Sequence, residues 1–323
     1  MALRQQGDRA AAVQAPAVSA GQGPGGPSVV PDAPFPARLE RFGLVGSTND
    51  VVVGWLRDGA PEVCVAVADA QSAGRGRHGR SWLAPSGAAL LASIGFRPVW
   101  LRPERVWRLA AVVALAMADA AEDVAGLAEG TVRLKWPNDL VVAFGASGRP
   151  LGSATVIGPD RPIDVRKLAG ILGETDGLGT SDVRVVVGIG LNADWSRDAF
   201  PSALAAGMTS LREASGGRTI DRDVLLAGFL DRLETRVEAL RGGYFDVAGW
   251  SSRQLTNGRI VRLERPDGAA ELVRAVGVDA TTGALVVTPA RAASGAAREA
   301  AERQVFAGEI RHVRLADPAS VGV

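Results

Sequence analysis

The chain has 323 residues, enough for two domains, and 47% of them are apolar, which is ample for a sizeable core. Its net charge of +1 excludes a strong overall attraction to nucleic acid or to acidic membranes. The one cysteine, Cys64, excludes an intrachain disulfide and is typical of a protein from the reducing cytoplasm, and the longest apolar run, residues 109–118, is too short to span a bilayer.

Residues 1–34 consist mostly of small residues, Pro and Gln, with almost no large apolar side chains. Such a composition cannot bury enough surface to offset the entropy lost on ordering, so it predicts a flexible tail. The segment contains neither the continuous apolar stretch of a secretory signal nor a helix-turn-helix pattern.

A mixed α/β domain is predicted over residues 35–245. Apolar runs of strand length lie at residues 63–70, 88–96, 132–136, 168–172 and 183–191. Helical periodicity is best at residues 48–57, 104–124 and 221–241, and the second of these helices follows Pro103, a residue favoured in a first turn.

Residues 246–323 predict a smaller all-β domain. Short strand-like runs at residues 259–264, 271–278, 284–288 and 303–306 are separated by a Pro-Asp-Gly and a Thr-Thr-Gly turn. The pattern favours a small β-barrel.

Lysine is almost absent from this chain. Of its 36 basic residues only Lys135 and Lys167 are lysine. Because lysine is a compact point cation and arginine a wide planar fork, a lysine retained in such a chain is a candidate for a narrow, charged site. A buried aliphatic stem is the alternative explanation.

A loop rich in glycine and arginine occupies residues 74–80 and follows a predicted strand. Its glycines, of which Gly74 is the first, let the backbone approach a ligand closely. Arg75, Arg77 and Arg80 supply forked hydrogen-bond donors and have no obvious internal partner, so the loop predicts an anion site. A solvated loop is the alternative.

The same loop matches the pattern G-x-G-x-x-G, but this match is rejected as a dinucleotide fingerprint. Trp82 and a Pro-Ser-Gly turn follow the loop, where that fingerprint requires a helix.

Three further motifs follow in order. Lys135-Trp-Pro-Asn138-Asp139 ends a strand, because Pro137 disfavours its continuation, although a plain Asx turn has the same sequence. A second strand is expected to begin at Lys167, with Gly170 leaving room for a ligand, and the buried strand that ends at Asn192 carries Gly-Ile-Gly.

In this order the motifs resemble those of the biotin protein ligases. The resemblance spans about 150 residues and is carried by Gly46-Ser-Thr-Asn49, Gln71 with the glycine/arginine loop and Trp82, the Trp-Pro-Asn-Asp motif, residues 167–172 and residues 188–192. It implies an α+β fold, with a mixed-sheet catalytic domain of the biotin/lipoate ligase type and a small C-terminal SH3-like barrel.

The resemblance also implies site residues. The biotin set is Ser47, Thr48, Asn49, Gln71, Gly74, Arg75, Arg77, Trp82, Lys167 and Gly170. The nucleotide set is Arg80, Asn138, Asp139 and Asn192, the catalytic residues are Lys167 and Arg77, and no metal ligand is assigned. Trp82 is expected to wall the pocket, with a core tryptophan as the alternative.

The reaction implied is ATP-dependent attachment of biotin to a lysine of a biotin carboxyl carrier protein, through biotinyl-5′-AMP, with Mg²⁺ as the counter-ion of ATP. The expected location is the cytoplasm, without nucleic-acid or membrane partners. A lipoate or octanoate ligase of the same fold and a non-catalytic sensor of biotinyl-AMP are the alternatives. Residues 143–165 are longer than the family's usual hairpin, and the absent helix-turn-helix pattern favours a ligase without the DNA-binding domain of the family's repressor members.

Overall fold

The structure, a computed structural model, describes residues 34–152, 163–290, 301–307 and 312–315. Two predictions lie wholly or partly outside the described residues: the flexible tail and the long hairpin at residues 143–165. Among the described residues, no helix is long and apolar enough to cross a membrane.

A seven-stranded sheet forms the centre of the first part of the chain. Its strands are β1 (Arg38–Val45), β2 (Cys64–Gln71), β3 (Ala89–Phe96), β4 (Val132–Lys135), β5 (Asp139–Phe144), β6 (Asp164–Asp176) and β7 (Arg184–Asn192). The spatial order is β1-β2-β3-β7-β6-β5-β4, with β1 and β2 parallel and all other neighbours antiparallel. The mixed sheet expected for an α+β fold is therefore confirmed.

Helices cover both faces of this sheet. They are α1 (Thr48–Arg57), α2 (Trp107–Ala125), α3 (Ser202–Ala205), α4 (Leu211–Ala214), α5 (Arg222–Arg241) and α6 (Val247–Ser252). Apolar side chains of α2 and α5 pack with the sheet into the largest core cluster, whereas α1 packs through Val52 and Leu56 on the opposite face, against Cys64. The face under α1 also carries the polar residues described below.

A second, five-stranded antiparallel sheet follows. It consists of β8 (Ile260–Glu264), β9 (Ala270–Val278), β10 (Leu285–Pro289), β11 (Arg303–Val305) and β12 (His312–Leu315), in the order β11-β10-β9-β8-β12. The predicted turns are present, since Gly268 and Gly283 have positive φ. Its core is a separate apolar cluster that includes Trp136. The domain boundary at 245/246 stays a prediction.

Some elements differ from the prediction. The strands β1, β5 and β12 were not expected. The predicted start of a strand at Lys167 is wrong, because β6 begins at Asp164. The helix expected from residue 104 begins instead with a short 3₁₀ turn, Pro103–Arg105, and α2 starts at Trp107. For the third long helix, Asp221 is the N-cap, because its carboxylate accepts hydrogen bonds from the backbone N–H groups of Asp223 and Val224.

Candidate active site

The glycine/arginine loop, residues 74–80, folds back on itself between β2 and β3. The Gly76 N–H donates to the Arg80 carbonyl at 2.6 Å, and the Trp82 N–H donates to the Gly74 carbonyl at 2.9 Å. A Cβ at Gly74 would lie 2.5 Å from the Trp82 carbonyl oxygen, so the return of the chain requires glycine there. The loop contains a single 3₁₀ turn, Arg77–Gly79, and leads into a strand, which confirms that it is not a dinucleotide fingerprint.

All three arginines of this loop have partners within the protein. Arg75 forms a bidentate ion pair with Asp50, at 2.7 and 2.8 Å, and also contacts Glu174. Arg77 donates to the Ala307 carbonyl and lies 3.5 Å from Asn138 Oδ1, and Arg80 donates to the Arg77 carbonyl. The expectation that these arginines lack internal partners is therefore wrong. The partners of Arg75 and Arg77 are distant in sequence, so no local pattern indicated them.

The only two lysines of the chain meet at one carboxylate. Lys167 Nζ lies 2.6 Å from Asp139 Oδ1, and Lys135 Nζ lies 3.5 Å from Asp139 Oδ2. All three side chains are at most a quarter exposed. Asp139 opposes the repulsion between two cations that point into the same space, which explains why the Lys135 and Lys167 motifs belong to one site.

Burial and charge act in opposite directions on these groups. Burial favours the neutral form of Asp139, but the charges of Lys167 and Lys135 outweigh it and hold the pKa of this carboxyl below its usual 3.8. Burial lowers the pKa of Lys135, and the nearby Lys167 adds to that effect, while Asp139 opposes it. The pKa of Arg77 is also lowered, chiefly by burial. The site thus holds cations with limited access to water, where their attraction for an anion is strong.

The hairpin that carries Asp139 is fastened to β6. Asn138 donates through Nδ2 to the Ile171 carbonyl at 2.8 Å, and the Ile171 N–H donates back to the Asn138 carbonyl at 2.9 Å. Asp139 itself pairs with Gly170 in the β5–β6 ladder. Asn138 and Asp139 follow the end of β4, as the motif predicts, and the structure adds that Asp139 lies beside Lys167.

The residues assigned to biotin form a second group, at the start of α1. Ser47 is the N-cap of that helix, and Ser47, Thr48 and Asn49 are all buried. The Thr48 N–H donates to Gln71 Oε1 at 2.8 Å, which ties the helix to the end of β2. The sequence therefore predicts the grouping of these residues correctly, and their binding role stays a prediction.

Trp82 covers the glycines of β6 and β7. A Cβ at Gly190 would lie 2.5 Å from the Trp82 ring, and a Cβ at Gly170 would lie 3.1 Å from Lys167 Nζ and 3.2 Å from that ring. Lys167 Nζ is 5.5 Å from the ring centroid, within cation–π range. The room that Gly170 was expected to leave for a ligand is thus filled by Trp82 and Lys167. The indole N–H is buried without a hydrogen-bond partner in the described part of the protein.

A cavity of about 730 Å³ is lined by Arg77, Lys135 and Asp139, but not by Lys167, Trp82 or residues 47–49. Its lining includes the loop residues Arg75 to Gly79, the motif residues Lys135 to Asp139, residues 171–175 of β6, and Thr282, Gly283, Phe306 and Ala307 of the second sheet. Its volume is in the range of small-molecule sites. Asn192 does not line it: this side chain is 1% exposed and donates to the Thr209 carbonyl, and its nucleotide role stays a prediction.

Comparison with known proteins identifies the family. The profile of the biotin/lipoate A/B protein ligase family matches residues 43–192. The biotin–[acetyl-CoA-carboxylase] ligase of Mycobacterium tuberculosis is 31% identical over 234 residues, which cover 72% of this chain and 76% of that protein. The chain belongs to the biotin protein ligase family.

Other biotin protein ligases agree with this assignment. The bifunctional ligase/repressor BirA of Salmonella typhimurium is 33% identical over 198 residues, which cover 60% of this chain and about half, 52%, of that protein. The fold matches that of the Aquifex aeolicus biotin protein ligase, solved in complex with biotin and ATP, with a TM-score of 0.64 at 23% identity over 86% of this chain and 99% of that one.

Sequence reasoning missed several polar residues of the site. Glu174 contacts both Asn49 and Arg75, and the buried Ser93 contacts Thr48 and Asn49. The signal for Ser93 was a polar side chain inside the otherwise apolar strand β3, whereas Glu174 stands in the polar end of β6, which carries no such signal. Among the described residues, no cluster of three or more His, Cys, Asp or Glu is arranged to hold a metal ion.

Proposed function

We propose that this biotin protein ligase attaches biotin to one lysine of a biotin carboxyl carrier protein, in two steps. The biotin carboxylate attacks the α-phosphorus of Mg-ATP, which releases pyrophosphate and forms biotinyl-5′-AMP. The carrier lysine amine then attacks the acyl carbon and releases AMP. The supporting observation is the convergence of Lys135, Lys167 and Arg77 around Asp139. Arg77, Lys135 and Asp139 also line a cavity large enough for small-molecule substrates.

Both reactants of the first step are anions, so the protein must bring negative groups together. Lys167 is the group we assign to the biotin carboxylate and the α-phosphate, because its ammonium is held 2.6 Å from Asp139, the carboxylate that also pairs with Lys135. Arg77 is assigned to the α-phosphate, on which negative charge increases in the transition state. The residues assigned to nucleotide binding are Arg80, Asn138, Asp139 and Asn192. Mg²⁺ enters as part of the ATP substrate.

The biotin rings are assigned to the face of the sheet beside α1. Ser47, Thr48, Asn49 and Gln71 supply polar groups there, and Trp82 supplies an apolar wall. Because Trp82 lies directly on Gly190 and Gly170, ring binding in this space requires the indole to move aside.

The closest alternative is a lipoate or octanoate ligase of the same fold, which the polar group at Thr48 and Gln71 disfavours because an acyl chain carries no polar ring to bind there. A competition assay with equimolar biotin, lipoate and octanoate, followed by mass spectrometry of the carrier domain, tests the assignment. Exclusive biotinylation supports it, whereas lipoylation contradicts it.

The proposal includes a cytoplasmic location. Mg-ATP and carrier domains are available there, and the buried thiol of Cys64 stays reduced.

A further inference from the structure

A chain of polar side chains runs beneath the glycine/arginine loop, from β2 through α1 to β6. Asn49 Nδ2 donates to Glu174 Oε2 at 2.7 Å, and Ser93 Oγ lies 2.6 Å from Asn49 Oδ1 and 2.7 Å from Thr48 Oγ1. The Thr48 backbone N–H in turn donates to Gln71 Oε1. Asn49 and Ser93 are 4% and 0% exposed, so these groups depend on one another for hydrogen bonds.

The hydrogen-bond donors and acceptors around Asn49 fix the orientation of its amide. The Asn49 amide oxygen only accepts, so the single hydroxyl proton of Ser93 points to it. The Thr48 hydroxyl lies 2.7 Å from Ser93 Oγ and 3.1 Å from Gln71 Oε1, so its single proton has two acceptors within reach. The Glu174 carboxylate also only accepts, which directs the NH₂ end of the Asn49 amide towards β6. A flipped amide would place its oxygen against the carboxylate, so Glu174 allows one orientation, and the rotatable hydroxyl of Ser93 adapts to it.

The neighbouring strand is shaped to receive this amide. A Cβ at Gly188 of β7 would lie 2.2 Å from Asn49 Oδ1 and 3.0 Å from Asn49 Cγ. Glycine at this position therefore lets the Asn49 amide lie directly on the backbone of the sheet. This contact is independent of the hydrogen bonds and points to the same fixed position of Asn49.

Glu174 has a second partner, in the loop above. Arg75 Nη2 lies 3.2 and 3.3 Å from the two oxygens of Glu174, and Nη1 and Nη2 also donate to Asp50 at 2.7 and 2.8 Å. One carboxylate thus joins a buried amide of α1 to a loop that carries the candidate phosphate-binding arginines. The side chain of Glu174 is 35% exposed, because it bridges the buried layer and the surface.

We propose that Glu174 is a positioning residue for the ligase reaction: it holds the Asn49 amide in one orientation and fastens the glycine/arginine loop to β6 through Arg75. This inference rests on the proposed function, because it concerns the biotin end of the same site. Without the carboxylate, the loop loses one of its contacts to the sheet. Biotin then binds more weakly, because part of the binding free energy is used to order the loop.

The test is Glu174→Gln, which preserves shape and removes charge. The matched control is Glu271→Gln on the second sheet, since Glu271 is equally exposed at 35% and pairs with two arginines, Arg265 and Arg303. We expect Glu174→Gln to raise the KM for biotin about tenfold, the effect of losing one charged hydrogen bond. The KM for ATP should rise less, because Asn49 and Arg75, the two partners of Glu174, both belong to the biotin set. Backbone amides of residues 74–82 should also exchange hydrogen about tenfold faster in the ligand-free variant. The Glu271→Gln protein should match wild type in all three measurements.

Two results overturn the proposal. One is an unchanged KM for biotin together with unchanged exchange in the loop. The other is an equal rise in both KM values with a lower Tm, which indicates a general structural role. If the wild-type protein itself fails to biotinylate a carrier domain, the proposed function fails instead, and the exchange measurement, which needs no activity, still decides whether Glu174 anchors the loop.

Discussion

Replacement of Lys167 by Arg tests whether the site requires a compact cation. In the native protein the ammonium lies 2.6 Å from Asp139, and its Nζ and the Trp82 ring lie 3.1 and 3.2 Å from the position of a Cβ on Gly170. A guanidinium keeps the charge but is a wide planar fork, so it must displace Trp82 or lose the short bond to Asp139.

The loss of one charge-assisted hydrogen bond is worth about 1.5–3 kcal/mol. If that loss falls on the transition state, the Lys167→Arg enzyme should form biotinyl-AMP about 10- to 150-fold more slowly. Single-turnover adenylation with labelled biotin measures this rate directly. Arg57→Lys, at an exposed position on α1, is the control and should keep the wild-type rate. A wild-type rate in the Lys167→Arg enzyme would refute the assignment of Lys167 to the reacting phosphate.

Three further predictions concern the loop, the carboxylate and the N-terminal segment. Arg77→Ala should release biotinyl-AMP to solvent, because Arg77 joins the loop to Asn138 and to the second sheet; filtration after one turnover should recover free adenylate, and full retention argues against this role. Asp139→Asn leaves two unpaired cations and should lower the free energy of unfolding at pH 7 by about 3 kcal/mol, measured in urea. Because the folded-state pKa of Asp139 lies below 3.8, that stabilisation is present above pH 3.8 and is lost as the pH falls further, so the two proteins should converge at lower pH; a constant difference contradicts the ion-pair explanation. A protein that starts at Pro34 should keep its Tm and activity, and a large loss of either would show that residues 1–33 contribute to the fold or the site.

The sequence predicts the site best where function is contained in a short motif. The turn after Lys135 places Asn138 and Asp139 correctly because Pro137 acts locally on the backbone. In the same way, Trp82 and the Pro-Ser-Gly turn exclude a helix after the glycine/arginine loop, and the structure has β3 there.

Pairing between distant segments could not be read from the sequence. Arg75 meets Asp50 and Glu174, which lie 25 and 99 residues away, so its ion pairs depend on strand order. The edge strand β1 was missed because it mixes charged and apolar residues and pairs on one side only. The meeting of Lys135 and Lys167 likewise depends on the antiparallel pairing of β5 and β6, since 31 residues separate the two.

In the proposed reaction the chain transfers biotin to a carrier lysine through an adenylate. The most direct measurement is incubation of the full chain with Mg-ATP, radiolabelled biotin and a biotin carboxyl carrier domain, with a carrier whose acceptor lysine is replaced by arginine as the control. Label should reach the intact carrier only when ATP is present and should not reach the control carrier. Biotinyl-AMP formation without any transfer would indicate the adenylate sensor, and transfer of lipoate or octanoate in place of biotin would contradict the account.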